Sequence, residues 1–410
     1  MQSRVHFRPN RGMKLSVNQL IDILSILCVL IFSTREYITR LLPSIPYVSI
    51  GYLLFALLLA SLLLNQKRIN TSALVFIGGV IVVCVINWFL SSGLQKEYIY
   101  SLLIEPFTFV KLWVYFIIFS LVREPAKFRR NLLVIAYVNM FLLMLTTVSG
   151  LYAANGRVLN YVGLGISGAM WIPLIILHAF ITDGRKRTFF VASAVVFVAF
   201  VAVYGNRGSL IAIIGFIVYC FIRYTQLKRK FAIASVIGII AILVYAFQDA
   251  IRNLLISRIS GFGLFSRNLN LLISGQLSYT THRTDEIWVR VAEAIKNNWL
   301  TGYGLCYDRV LNGSLDIYAH NLALEVFLSF GVILGLILLL LHLNLGINNC
   351  VKIKETEWEY LFTPFYITST LLLMFNNSFC LLSSFWIPYG VFFALKKARR
   401  AAKNQDGRNS

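Results

Sequence analysis

Acidic side chains are scarce in this 410-residue sequence: 17 Asp and Glu stand against 38 Lys and Arg, and all charged residues together make up only 13%. A soluble domain carries about a quarter charged residues, so a water-soluble globular fold is excluded. With 58% hydrophobic residues and a mean hydropathy of +0.73, the composition is that of an integral membrane protein. The shortage of acids leaves a net charge of +21. The basic residues nevertheless lie in short clusters between apolar runs, so they read as topology signals and no nucleic-acid partner is expected. Metal-ligand spacing is also lacking. Cys28, Cys84, Cys220 and Cys380 fall inside apolar runs, Cys350 in a basic loop, and Cys306 has no obvious partner, so neither a metal site nor a structural disulfide is expected. Gly302-Tyr303-Gly304 follows no strand and is not a nucleotide fingerprint, and no cofactor is implied. No small-residue cleavage site follows the basic start (Arg4 to Lys14), so the first apolar run reads as a retained span.

What the sequence does have is apolar runs of membrane length, about twenty residues each. They fall near 17–34, 46–65, 72–91, 98–122, 131–149, 159–182, 189–205, 209–223, 231–247, 319–341, 357–376 and 378–396. Basic clusters occupy alternate connections: Gln66-Lys67-Arg68, Arg123 to Arg130, Arg185-Lys186-Arg187, Lys228-Arg229-Lys230, Lys352 to Lys354 and Lys397 to Arg400. The expected architecture is therefore all-α, about 12 transmembrane helices with both termini cytoplasmic and one large extracytoplasmic loop. Residues 1–247 hold helices one to nine, 248–318 the loop, and 319–410 the last three helices with a basic tail. Glu105 and Lys111 lie inside the fourth run, where charges pair or serve a pathway.

The long loop is where work is expected, because the other connections are short. Asp249 to Ser260 reads as an interfacial extension of the ninth span. Asp285 to about Asn297 reads as an amphipathic helix: Ile287, Val291, Ala294 and Ile295 share one face, and Glu286, Arg290, Glu293 and Lys296 another. His282-Arg283 stands before that helix, where free N–H groups favour an anion. Arg207 lies between two short spans flanked by glycines, at the outer surface. Two guanidinium forks suit a diphosphate, and His320, at the mouth of an apolar helix, suits a proton acceptor from a hydroxyl. The plainer alternatives are a lipid-headgroup role for Arg207, a solvated loop role for Arg283 and a packing role for His320.

His320-Asn321-x3-Glu325-x5-Gly331-x3-Gly335, preceded by Gly302-x-Gly304 and Arg283-x4-Trp288, resembles the signature of the O-antigen ligase and Wzy-type polymerase superfamily. Tyr204-Gly205-Asn206-Arg207-Gly208-Ser209 resembles its arginine motif. The likeness covers residues 200–345 and implies a metal-independent membrane glycosyltransferase of GT-C-like architecture in the bacterial cytoplasmic (inner) membrane. Its implied substrate is an undecaprenyl-diphosphate-linked oligosaccharide, and its implied partners are the bilayer, a flippase and a chain-length regulator. Carried over, Arg207 and Arg283 contact the diphosphate and His320 assists the acceptor, with Arg290 as the alternative to Arg283. Arg157, Arg290, Asn321 and Glu325 join them as substrate-binding positions. Gly156-Arg157-x3-Tyr161-Val162-Gly163-x-Gly165 and the Tyr-Ala-His-Asn wording look more like repeat-unit polymerases of O-antigen or capsule than lipid A-core ligases. A twelve-span transporter is the rival outside the superfamily, and the Gln66 to Thr71 loop lacks its Gly-x3-Asp-Arg-x-Gly pattern.

Overall fold

In lipid every backbone polar group must be satisfied within the chain, so apolar runs of this length fold as helices. The computed structural model describes residues 16–104, 106–148, 161–225, 286–313, 318–353, 356–375 and 377–409, and no strand occurs among them. The helices are α1 (Val17–Leu41), α2 (Tyr47–Leu64), α3 (Thr71–Leu90), α4 (Gly93–Ile104), α5 (Pro106–Ser120), α6 (Pro125–Val148) and α7 (Tyr161–Ile181). They continue as α8 (Gly184–Tyr204), α9 (Arg207–Tyr224), α10 (Trp288–Asn297), α11 (Tyr307–Leu311), α12 (Leu322–Lys352), α13 (Glu359–Phe375) and α14 (Ser383–Asn409). Eight of these, α1 to α3, α6 to α9 and α12, are long and apolar enough to cross a membrane. The protein is an all-α integral membrane protein.

Eleven of the twelve expected segments overlap described helices; the ninth, 231–247, and the 249–260 extension lie outside the described residues. The run 98–122 overlaps α4 and α5, on either side of Glu105, which lies outside the described residues. One expectation is corrected: the last span begins later than expected, at Ser383, and residues 377–382 form a turn instead.

The core centres on α7, which packs against α6, α8, α9 and α13, with Trp171 fully buried. On the other side α14 runs along α5. Phe76 of α3 stacks there on Phe116 at 5.5 Å and on Tyr389 at 5.7 Å. One end of the bundle collects the basic connections. Lys397 Nζ donates to the carbonyls of Lys67, Arg68 and Ile69 at 3.0, 3.2 and 2.9 Å. Arg123 donates to Lys67 O at 2.9 Å, Arg68 pairs with Asp22, and Arg129 pairs with Glu357 at 3.1 Å. Arg223, ending α9, meets the Cys350 carbonyl at 2.7 Å and Glu359 at 3.7 Å. Because α9 starts at Arg207 and Gly215 lies against Leu371, α9 and α13 are antiparallel, so Arg207 and the 377–382 turn share the opposite end.

Candidate functional site

At that opposite end α12 is interrupted. Gly331 has φ 74 and ψ 169, a region that essentially only glycine occupies. The break frees backbone groups of the helix, and the segment 299–304 satisfies them. Tyr303 N–H donates to Leu328 O at 2.8 Å, Gly304 N–H to Ser329 O at 3.0 Å, and Val332 N–H to Trp299 O at 2.6 Å. A Cβ on Gly302 (φ 70) would stand 2.5 Å from Gly331 N, so the two glycines make room for backbone against backbone. Gln95 of α4 holds the same segment from below, donating to Tyr303 O at 3.0 Å and Leu305 O at 2.9 Å. Asn87 accepts from Leu305 N–H at 2.9 Å. The spacing Gly302-x-Gly304…Gly331 thus encodes a stitched joint between loop and helix.

His320 sits directly above this joint. It is 7% exposed and has φ 53, a left-handed backbone that costs a non-glycine residue about 1–3 kcal/mol and persists only where neighbours enforce it. The neighbours are visible on both sides. Asp308 Oδ2 accepts from Ala319 N–H at 2.9 Å, and Trp288 Nε1–H donates to Ala319 O at 2.9 Å. Asn321 caps α12 through Leu324 N–H at 3.2 Å and reaches Met374 O at 3.5 Å. The His320 ring lies 3.9 Å from the Tyr318 ring, centroid to centroid. The expected amphipathic helix is present as α10: Val291 and Ala294 are buried against Ala319 and Leu328, while Arg290, Glu293 and Lys296 face out.

Beneath His320 lies a cluster of buried charge. Arg309, with no exposed surface, pairs with Asp308 at 2.5 Å and faces Glu325 at 3.7 Å. Its guanidinium stacks on Tyr98 at 4.7 Å and Tyr318 at 4.8 Å. Burial would lower the Arg309 pKa, but Asp308, with Tyr98, Cys306 and Glu325 behind it, outweighs that and raises it, so the side chain stays charged. Glu325, 1% exposed, accepts from Ser378 Oγ and from Phe379 N–H at 3.3 Å. Cys306 and Cys380, both free, meet beside this cluster with sulfurs 4.0 Å apart.

Arg207 is the first residue of α9, partly exposed, behind Asn206, whose side chain accepts from Ser209 N–H at 2.7 Å and donates to Val162 O at 3.2 Å. Gly165 of α7 lies against Asn206 and Ser209, so the carboxy-terminal glycine of the first motif meets the Arg207 motif. Arg290 is exposed and pairs with Glu286 at 3.8 Å. Arg157 and Arg283, with Glu105 and the Lys111 side chain, lie outside the described residues. Among the described residues no group of three or more His, Cys, Asp and Glu could hold a metal ion. Below the site an apolar groove of about 770 Å³ descends between α3, α12 and α14, with Leu305, Leu322 and Phe379 at its top and Phe392 at its base.

The sequence reading singled out His320, Asn321 and Arg207, and missed Asp308, Arg309, Tyr98 and Ser378. An adjacent Asp-Arg pair in a polar stretch carries no local sign of burial.

A constrained, buried histidine and an apolar groove thus lie together in an all-helical membrane protein. Residues 192–340 match the family model described as O-antigen ligase, which supports a place for the chain in the O-antigen ligase and Wzy-type superfamily. No curated protein matches the chain.

Proposed function

We propose that this protein polymerises undecaprenyl-diphosphate-linked oligosaccharide repeat units at the outer face of the bacterial cytoplasmic membrane, with both termini in the cytoplasm. The observation that carries the reading is the placement of His320. It is held at the N-terminal mouth of α12, at the same end as Arg207 and beside a groove lined by Leu322 and Phe379. Such a groove suits the polyprenyl tail of the lipid donor.

In the reaction, an acceptor sugar hydroxyl attacks the anomeric carbon of the donor glycan. The carbon–oxygen bond to phosphate breaks, undecaprenyl diphosphate leaves, and the hydroxyl proton passes to the imidazole. Arg207 and Arg283 hold the diphosphate in two-pronged contacts and stabilise the charge that develops on it. The Gly156 to Gly165 stretch and the Tyr318-Ala319-His320-Asn321 wording favour a polymerase over a ligase acting on lipid A-core. Full-length protein in lipid nanodiscs, given only the lipid-linked repeat, should yield a ladder of longer lipid-linked oligomers. A single transfer that waits for a core-glycan acceptor would replace this reading with the ligase.

A further inference from the structure

The Asp308–Arg309–Glu325 cluster is expensive to bury, and nothing about spanning a membrane requires it. Each member ends on the turn that carries His320. Asp308 fixes the Ala319 amide next to it in sequence. Arg309 supports Tyr318 from one side, and the His320 ring lies on the same Tyr318 ring. Glu325 ties the first turn of α12 to the 378–379 backbone, so the helix that follows His320 cannot roll. Arg309 draws Asp308 and Glu325 together from two separate elements. The geometry points to this triad as the positioning device for His320, with Asp308, Arg309 and Glu325 acting through it and not on the sugar. Glu325, a substrate-binding candidate by resemblance, thereby becomes a positioning residue.

The physical reason lies in the backbone. A histidine at φ 53 returns to the ordinary region unless its flanks are fixed, and the ring would then leave its place on Tyr318. A neutral packing contact would not suffice, because the Ala319 amide needs an acceptor that is itself held rigid. Arg309, stacked between two tyrosines, supplies that rigidity. Misplacing a reacting group by an ångström costs about 100-fold in rate, so even a modest loosening would show.

The inference rests on the function proposed above, so its test needs one measurement of rate and one that is independent of rate. Asp308→Asn and Glu325→Gln are compared with wild type in full-length protein. Because Arg309→Met alone strands two buried carboxylates, it is made only within the neutral triple D308N/R309M/E325Q, since buried ion clusters replaced by neutral groups still fold. The rate measurement is kcat and KM for ladder formation from the lipid-linked repeat. The independent measurement is the carbethoxylation rate of His320 by diethylpyrocarbonate, followed by peptide mass spectrometry. The expected result is a kcat about 100-fold lower with KM for the lipid donor within about twofold, and a faster-modified His320, in the triple as in the singles. A triple variant with wild-type kcat and wild-type His320 reactivity overturns the positioning role and leaves the cluster as packing. If wild type itself makes no ladder while His320 still becomes more reactive in the variants, the polymerase reading falls and the positioning role stands.

Discussion

Gly331→Ala is the sharpest perturbation of the joint between loop and helix. An alanine there would overlap the Leu300 carbonyl oxygen and stand 2.6 Å from Leu300 C and 2.9 Å from Trp299 O, in a backbone region it does not tolerate. These neighbours are backbone and cannot rotate away. The cheaper escape is for the 299–304 segment to lift and for α12 to close its own hydrogen bonds. Lifting breaks three backbone bonds at about 0.5–1.5 kcal/mol each, about 1.5–4.5 kcal/mol in all. Hydrogen exchange at Tyr303, Gly304 and Val332 should therefore accelerate about ten- to a thousandfold while the rest of α12 keeps its protection. Lifting also drags α11 and Asp308 away from Ala319, so transfer activity should fall with the protection. Gly335→Ala is the control, since its one contact under 3.0 Å is the movable Phe327 ring, its backbone neighbours stand at 3.3 Å, and its φ is ordinary. Wild-type exchange and wild-type transfer in Gly331→Ala would refute the account of the joint.

Arg207→Lys should lower transfer by about 2–4 kcal/mol of transition-state stabilisation despite the retained charge, and Arg283→Lys likewise, as measured by kcat/KM; equal turnover would remove the two-pronged clamp. Arg290→Lys, exposed and paired with the exposed Glu286 just before α10, should stay within about 0.5 kcal/mol of wild type in stability and transfer. Gly79→Leu points into open space along the groove, so it should leave the melting temperature unchanged while raising KM for the lipid donor; unchanged KM would detach the groove from substrate. Lys397→Met removes three partly exposed hydrogen bonds at about 0.5–1.5 kcal/mol each and should cost about 1.5–4.5 kcal/mol in detergent unfolding, with no cost expected if the ammonium is merely solvated.

The helices were legible because apolar length is a local property and each run states its own requirement. The face of α10 was legible for the same reason, since Val291 and Ala294 repeat at helical spacing. The glycines of the joint could be seen as a motif, though not as a joint, because Gly302 and Gly331 meet only after 29 residues of chain have folded back. The buried charge was illegible for a stronger reason. Asp308 and Arg309 look solvated until Tyr98, Tyr318 and Glu325 close around them from three other elements. Burial of polar groups is a property of assembly, and a sequence read in order does not display it.

Lys397 has a consequence for biogenesis. The carbonyls it satisfies belong to a connection made some 330 positions earlier, and Asn70 there also donates to Phe393 O at 2.8 Å. During synthesis the first helices enter the bilayer long before α14 leaves the ribosome, so α3 and α5 wait in lipid beside an unfilled slot. Folding is completed by the final helix, as a keystone completes an arch. Truncation before Ser383 should therefore yield an inserted but unlocked chain, open to membrane proteases along its whole first half. A bulky fusion placed immediately after Lys397 would stall the same closing step.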